Sequence, residues 1–177
     1  MVIPGTHDSG SYSIDSYKVF SAVGRSQTVS ILEQLHRGTR FLDIRLGESG
    51  KNINIFHGCL SGTKLERVLE EISLFCHDFP GEFVIIELVA EYGRSYSVKQ
   101  KMKTLEVLKE TLGDKMFDED DKEKMMSTPV KELVLKGKQI CVLLHPRFYN
   151  DLPTSEATIA ADYNCFSSEK WMNSKWQ

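Results

Sequence analysis

Short apolar runs alternate along the chain with longer segments whose apolar residues recur every three or four positions. Residues 28–37 carry Val29, Ile31, Leu32 and Leu35 at helical spacing, with Gly38 as a stop. Phe41 to Leu46 and Asn54 to His57 read as short strands. From Leu65 to Phe79, Leu65, Val68, Leu69, Ile72 and Phe75 share one face of an amphipathic helix that Pro80-Gly81 ends. Phe83 to Ala90 is an apolar run broken only by Glu87, as expected of a strand covered on both faces. Ser97 to Leu112 predicts a second long helix, stopped by Gly113. Residues 114–126 are charged and Met-rich and predict a loop with a helical turn. Pro129 opens a short helix through Leu135, and Gln139 to Leu144 is a further strand. Pro146 to Gln177 reads mostly as loop, with a strand near Ala160 to Cys165. Neither an internal repeat nor a low-complexity segment interrupts this order.

Strands alternating with helices predict an α/β fold with a parallel sheet and helical crossovers. A closed eight-stranded barrel typically needs about 250 residues. This chain of 177 residues offers five or six strands, so it reads as one domain, 1–177, short of closure. Its 41% hydrophobic content supports a sizeable core. A formal charge of -3 argues against a strongly basic nucleic-acid binder, so no nucleic-acid partner is expected. Cys59, Cys76, Cys141 and Cys165 form no C-x-x-C pair, which argues against a zinc knuckle or a redox motif. Cys141 lies in an apolar run and reads as a core thiol; the pattern fits a reducing compartment such as the cytoplasm. No stretch approaches the roughly 18 apolar residues of a spanning helix. Met1 is followed almost at once by Pro4-Gly5, unlike a signal peptide, and the chain opens on what reads as the end of a strand.

The position of the ionisable residues adds most. His7 and Asp8 follow the apolar Val2-Ile3 segment, and Asp43 and Arg45 end the Phe41 strand. His57 ends the next strand, Glu87 and Glu91 lie in and just after the Phe83 strand, and His145 and Arg147 follow the Gln139 strand. In a parallel barrel the C-terminal strand ends open on one face, so five strands would send ionisable groups to a single rim. Strand parity puts Phe41, Asp43 and Arg45 on one face and Leu42, Ile44 and Leu46 on the other, which suits a strand lining a polar pocket. Each residue has a structural alternative. A single His at a strand end is commonly a satisfied structural group, Asp43 and Arg45 could be a simple ion pair, and Glu87 reads best as a core partner of a Lys or Arg. His36 and His77 read as ordinary helix residues. Such alternatives do not account for His7, Asp8, Asp43, Arg45 and His57 together.

Those residues lie in segments that resemble a known family. Ile3-Pro4-Gly5-Thr6-His7-Asp8-Ser9 resembles the opening motif of the bacterial-type phosphatidylinositol-specific phospholipase C X domain. Gln34-Leu35 followed by Gly38-Thr39-Arg40-Phe41-Leu42-Asp43-Ile44-Arg45 is similar to its second motif, and Phe56-His57-Gly58 to its third. Pro80-Gly81-Glu82-Phe83-Val84-Ile85-Ile86 and Gly137-Lys138-Gln139-Ile140-Cys141-Val142-Leu143-Leu144 resemble the motifs around the following strands. The ordered set is specific and runs to about residue 147; Trp171 to Trp176 resembles a Trp-containing segment of eukaryotic X-domain-only proteins.

The resemblance implies a TIM-type (β/α) barrel of the phospholipase-C-like phosphodiesterases, incomplete in this chain, acting on a phospholipid at a membrane surface. It implies His7 and His57 as an acid–base pair, Asp8 as the carboxylate of His57, and Arg45 where calcium-dependent members hold an acidic metal ligand. No metal or other cofactor is therefore expected. Phosphodiester cleavage needs a base for the attacking hydroxyl and an acid for the leaving alkoxide. Two imidazoles near a pKa of about 6.5 can take opposite protonation states near neutral pH. An arginine fork keeps its charge and meets phosphate oxygens bidentately, with Asp43 on the same strand face to fix it, and Asp8 or Asp43 can orient and polarise an imidazole. Val89 stands where bacterial members carry an inositol-contacting Lys and eukaryotic ones a metal-binding Glu; Glu91 and Arg147 are candidate substrate-binding replacements. Bacterial members pair the first histidine with a late-barrel Asp, so His7 is expected to lack its carboxylate here. Two alternatives follow: a catalytically weak fragment or pseudoenzyme that binds headgroups, and a glycerophosphodiester phosphodiesterase, whose H-R-G motif is matched by His36-Arg37-Gly38.

Overall fold

The computed structural model describes residues 2–14, 24–117 and 128–165. Its centre is a six-stranded sheet in the order β4-β3-β2-β5-β6, with β1 also paired to β2. The strands are β1 (Gly5–Thr6), β2 (Phe41–Ser49), β3 (Asn52–His57), β4 (Leu60–Lys64), β5 (Val84–Ala90) and β6 (Ile140–Leu144). The described α-helices are α1 (Ile31–His36), α2 (Leu65–Asp78), α3 (Val98–Leu112), α4 (Val130–Val134), α5 (Pro146–Tyr149) and α6 (Thr154–Tyr163). β1, β2, β5 and β6 are mutually parallel, as the alternation of strands and helices predicts.

β3 departs from that prediction. It pairs antiparallel with β2, with Leu46 opposite Ile55 and Ser49 opposite Asn52. Gly50, at φ 62, makes the tight turn that a side chain would strain. Only two residues, Gly50 and Lys51, separate β2 from β3, too few for the crossover a parallel neighbour would need. β4, absent from the sequence reading, extends this hairpin antiparallel to β3. β2 also runs three residues past Leu46, so Asp43 and Arg45 lie within the strand and not at its end. The segment after Pro146 is helical, and α6 covers most of the predicted strand near Ala160 to Cys165. Its Ala, Thr and Ser content suits either state, and Ala160 packs into the core against the sheet. Gly113–Lys115 forms a 3₁₀ turn; the rest of the Met-rich segment and Trp171 to Trp176 lie outside the described residues.

The two faces of the sheet differ. Leu42, Ile44 and Leu46 of β2, Val84, Ile86 and Leu88 of β5 and Ile140, Val142 and Leu144 of β6 face the helices and join Leu69, Ile72, Phe75, Leu105 and Phe148 in the main core. On the opposite face Phe41, Phe83, Ile85, Cys141 and Leu143 gather with Phe117 and Leu133 in a smaller cluster. Asp43 is in register with Glu87, and Arg45 with Val89, so the upper part of this second face turns polar. That face is the interior of the barrel to which the four parallel strands belong.

Candidate active site

β1 leaves β2 after Leu42, and β3 joins the same edge only from Leu46. The gap between them lies beside Asp43, Ile44 and Arg45. The chain leaving β1 fills it. His7 and Asp8 turn there, Asp8 in the left-handed region at φ 49, which Asp tolerates better than most residues. A 3₁₀ turn over Ser9–Ser13 follows. Gln34 braces this loop: its amide donates to the carbonyls of Ser9 and Val29, each at 2.9 Å, and its Oε1 accepts from Thr6 Oγ1 at 2.8 Å. Gln27 Nε2 donates to the His7 carbonyl at 2.9 Å.

Asp43 Oδ2 is the hub. It accepts from the Asp8 backbone N–H at 3.1 Å and from Arg45 Nε and Nη2 at 3.2 Å each. His7 Nδ1 lies 3.0 Å from the same oxygen. Arg45 Nη2 lies 3.4 Å from the same nitrogen, so Nδ1 donates to Asp43 in one tautomer and accepts from Arg45 in the other; His7 Nε2 has no hydrogen-bond partner among the described residues. The His7 side chain is 65% exposed, so that nitrogen faces solvent. His7 thus has a carboxylate partner within this chain, contrary to the expectation that it would lack one. Asp43 fills that place because a parity-related strand residue reaches the loop after β1.

His57, at the end of the β3 hairpin arm, meets the cluster from the other side. Its Nδ1 is 3.0 Å from the Gly24 carbonyl and 3.4 Å from Asp8 Oδ2. Both neighbours are acceptors, so Nδ1 carries the proton and Nε2 is again the exchangeable nitrogen. Asp8 is fully buried, and neither carboxylate oxygen has a hydrogen-bond partner among the described residues. Burial raises its pKa to about 6, against the lowering influence of His57 and Arg45; Asp43 and Glu91 add to the rise. Arg45 is held by three carboxylates: Asp43, Glu91 Oε2 at 3.6 Å from Nη1, and the field of Asp8. Burial works against its charge, but these carboxylates win and its pKa is raised.

The structure therefore brings together His7, Asp8, Asp43, Arg45, His57 and Glu91. Glu91 is buried and committed, accepting from the Gly58 N–H at 3.0 Å as well as facing Arg45. Arg147 stands apart on α5 with its guanidinium 5.6 Å from the Tyr92 ring. Two residues belong near this cluster that sequence reading did not select for it. Glu87 lies beside Asp43 on the interior face; burial and the Asp43 charge push it up to about 7, with Arg45 opposing. Parity with Val89 carried that signal. The Gly24 carbonyl had none, because only folding brings it to His57. His36 packs its ring edge-on to Phe75 and Phe79, and Arg37 pairs with Glu33, so the H-R-G tripeptide takes no part in the cluster. Among the described residues no group of three or more His, Cys, Asp or Glu side chains is arranged to hold a metal ion, and no helix is long and apolar enough to cross a membrane.

Four parallel strands with helices on one face, and a polar interior face at their C-terminal ends, define part of a TIM-type barrel. The chain belongs to the family described as phosphatidylinositol-specific phospholipase C, X domain, whose model matches residues 1–142. A 1-phosphatidylinositol phosphodiesterase of Listeria monocytogenes is 35% identical over 105 residues, 58% of this chain and 32% of that protein. The mouse PI-PLC X domain-containing protein 2 is 27% identical over 183 residues, 86% of this chain and 51% of that protein. The solved phosphatidylinositol-specific phospholipase C from Listeria monocytogenes superposes with a TM-score of 0.61 at 25% identity, covering 82% of this chain and 51% of that one. The chain thus spans about a third to a half of the length of these relatives.

Proposed function

We propose that the protein cleaves the phosphodiester of a glycerophospholipid such as phosphatidylinositol at a membrane surface, by acid–base catalysis between His7 and His57. The observation that carries this reading is a guanidinium, Arg45, set beside two Asp–His pairs whose imidazole Nε2 atoms have no hydrogen-bond partner among the described residues. One imidazole Nε2 takes the proton of the attacking hydroxyl, the inositol 2-hydroxyl where inositol is the headgroup, and the other protonates the departing diacylglycerol oxygen. The new P–O bond forms as the old one breaks, and the proton count closes across the two rings. Arg45 neutralises the charge gathering on the phosphoryl oxygens, and Asp43, Asp8 and Glu91 fix its orientation. A permanent cation at this point replaces a divalent ion, so the reaction is metal-independent. Headgroup binding without turnover is a second reading, favoured by Val89, which puts an aliphatic side chain beside Arg45 where a further polar contact to the headgroup would be useful.

The test is cleavage of phosphatidylinositol vesicles with EDTA and with added calcium. Wild type is expected to be active in both. His7→Ala and His57→Ala are each expected to lose about 10²–10⁴-fold. Arg45→Lys keeps the charge without the fork and falls well below wild type. Arg45→Asp is dead in EDTA and at most partly rescued by calcium, which needs several oxygen ligands. A calcium requirement in wild type, or full metal-free activity of Arg45→Asp, would overturn the role given to Arg45.

A further inference from the structure

Residues 24–27 form a short strap without helix or strand, tied to the 3₁₀ turn Ser9–Ser13. Both histidines touch it. At one end the Gly24 carbonyl accepts from His57 Nδ1 at 3.0 Å; at the other, Gln27 Nε2 donates to the His7 carbonyl at 2.9 Å. A segment outside any ladder is placed by whatever satisfies its backbone groups. Here that group is Ser11. It is fully buried, and its Oγ accepts the N–H groups of Ser26 and Gln27, each at 3.0 Å. A hydroxyl oxygen carries two lone pairs, so one side chain satisfies both donors. The Ser11 N–H in turn donates to the Asp8 carbonyl at 3.0 Å, which joins this anchor to the loop that carries the site's buried carboxylate. Arg25 Nη2 adds a bond to the Tyr12 carbonyl at 2.8 Å.

The two acceptors near His57 are unequal. Asp8 Oδ2 lies 3.4 Å from Nδ1, and neither Asp8 oxygen has a hydrogen-bond partner among the described residues. The Gly24 carbonyl is nearer and takes the directed bond. Asp8 therefore supplies charge beside the ring, and the strap supplies the hydrogen bond. Which imidazole nitrogen keeps its proton is set by the bond made at the nitrogen away from the reaction. The place of the Gly24 carbonyl thus decides whether Nε2 presents a lone pair.

We infer that Ser11 is a positioning residue of the site: its hydroxyl holds the 24–27 strap so that the Gly24 carbonyl fixes the Nδ1–H tautomer of His57 and leaves Nε2 open for proton transfer. Its consequence for turnover rests on the acid–base reading of His57 above, whereas the tautomer is a property of the resting protein. A serine that only filled space would be replaced without effect by a group of similar size. An acceptor of two N–H groups would not.

Nitrogen NMR of the imidazole rings reads the tautomer of neutral His57 without substrate, its signals identified by their loss in His57→Ala. Wild type is expected to show the Nδ1–H form. Ser11→Ala deletes the acceptor, and Ser11→Cys keeps a similar side chain with a much weaker one. Each is expected to move His57 to a mixture of the two tautomers. On phosphatidylinositol vesicles each is expected to lower kcat about 10–100-fold with KM unchanged. Amide exchange in wild type tests the anchor itself, whether or not a variant folds: the Ser26 and Gln27 N–H groups are expected to be protected, although Ser26 is exposed. Unprotected amides at both positions, a wild-type His57 in the Nε2–H form, or an unchanged tautomer in folded Ser11→Ala and Ser11→Cys overturns the role of Ser11. A tautomer that shifts in the variants of a protein that cleaves no lipid leaves the positioning role standing and removes the proposed reaction; cleavage with a tautomer indifferent to Ser11 does the reverse.

Discussion

Asp8 combines three unfavourable features. It is buried, both its oxygens lack hydrogen bonds among the described residues, and its backbone is left-handed. Unfolded, its carboxyl titrates near the ordinary 3.8; folded, burial moves this to about 6. Between those values the folded state keeps a proton that the unfolded state has lost, so stability falls as pH rises from about 4 to about 6 and stays reduced above that. Glu87, raised to about 7, acts in the same direction up to a higher pH. Asp8→Asn removes the buried charge. The variant is expected to melt higher than wild type above pH 6, with the gap closing toward pH 4, while losing activity because His57 loses its counter-charge. Melting curves across this range check the sign: a variant less stable than wild type at pH 8 would show that Asp8 is stabilised by His57 and Arg45 more than burial penalises it.

Among the elements, the β3–β4 hairpin and the 3₁₀ turn after His7 decide whether the two histidines meet. The turn lies against β3 and β4, and their contact depends on small residues. A Cβ on Gly10 would come within 2.8–2.9 Å of three atoms of the buried Ile55 side chain. The Ser13 hydroxyl accepts the Thr63 N–H at 2.9 Å and donates to the Gly10 carbonyl at 2.8 Å, tying the same turn to β4. Gly10→Ala is therefore expected to overpack this junction, destabilising the fold by about 1–3 kcal/mol and spreading Asp8 from His57. The measurements are a denaturant titration and the activity of the variant under conditions where it is fully folded. An unchanged midpoint would mean that Ile55 can turn aside without loss.

For the whole molecule the consequence of four parallel strands is an open sheet. The outer edge of β6 receives the Phe117 N–H on Ile140 and the Cys165 N–H on Val142, but no continuous strand pairs with it among the described residues. Phe41, Phe83, Ile85 and Leu143 form only a small cluster on the interior face, where a closed barrel would pack a full one. Unpaired edges and thin apolar layers favour association. The 177-residue chain is expected to melt below the usual mesophile range of about 45–65 °C and to aggregate with rising concentration. A concentration-independent cooperative melt within that range, followed by calorimetry and light scattering, would show that the sheet is adequately covered.

Much of this was readable in the residues themselves. The helical spacing of Leu65, Val68, Leu69, Ile72 and Phe75 predicts α2, and all five are buried. The parity of Asp43 and Arg45 against Leu42, Ile44 and Leu46 predicts which face of β2 is polar, because successive strand residues point to opposite sides. The ordered motifs through His7, Arg45 and His57 point to the family. Other features depend on contacts far apart in sequence. The gap at the edge of β2 into which His7 and Asp8 fold and the Gly24 carbonyl on His57 have no local pattern, whereas the reversal of β3 follows locally from the two-residue Gly50-Lys51 connection. Asp43 was legible as a partner for Arg45, two residues away, and as a carboxylate able to orient an imidazole; that the imidazole is His7, thirty-six residues earlier, was not. Lys101 carries no sequence signal for burial; the packing of α3 against the turn after α5 buries it and sets its ammonium on the Asn150 carbonyl. Local sequence fixes period and polarity, which follow from backbone geometry. Which charges share a low-dielectric space is settled by tertiary packing, because it depends on the distances and the solvent that packing leaves between them.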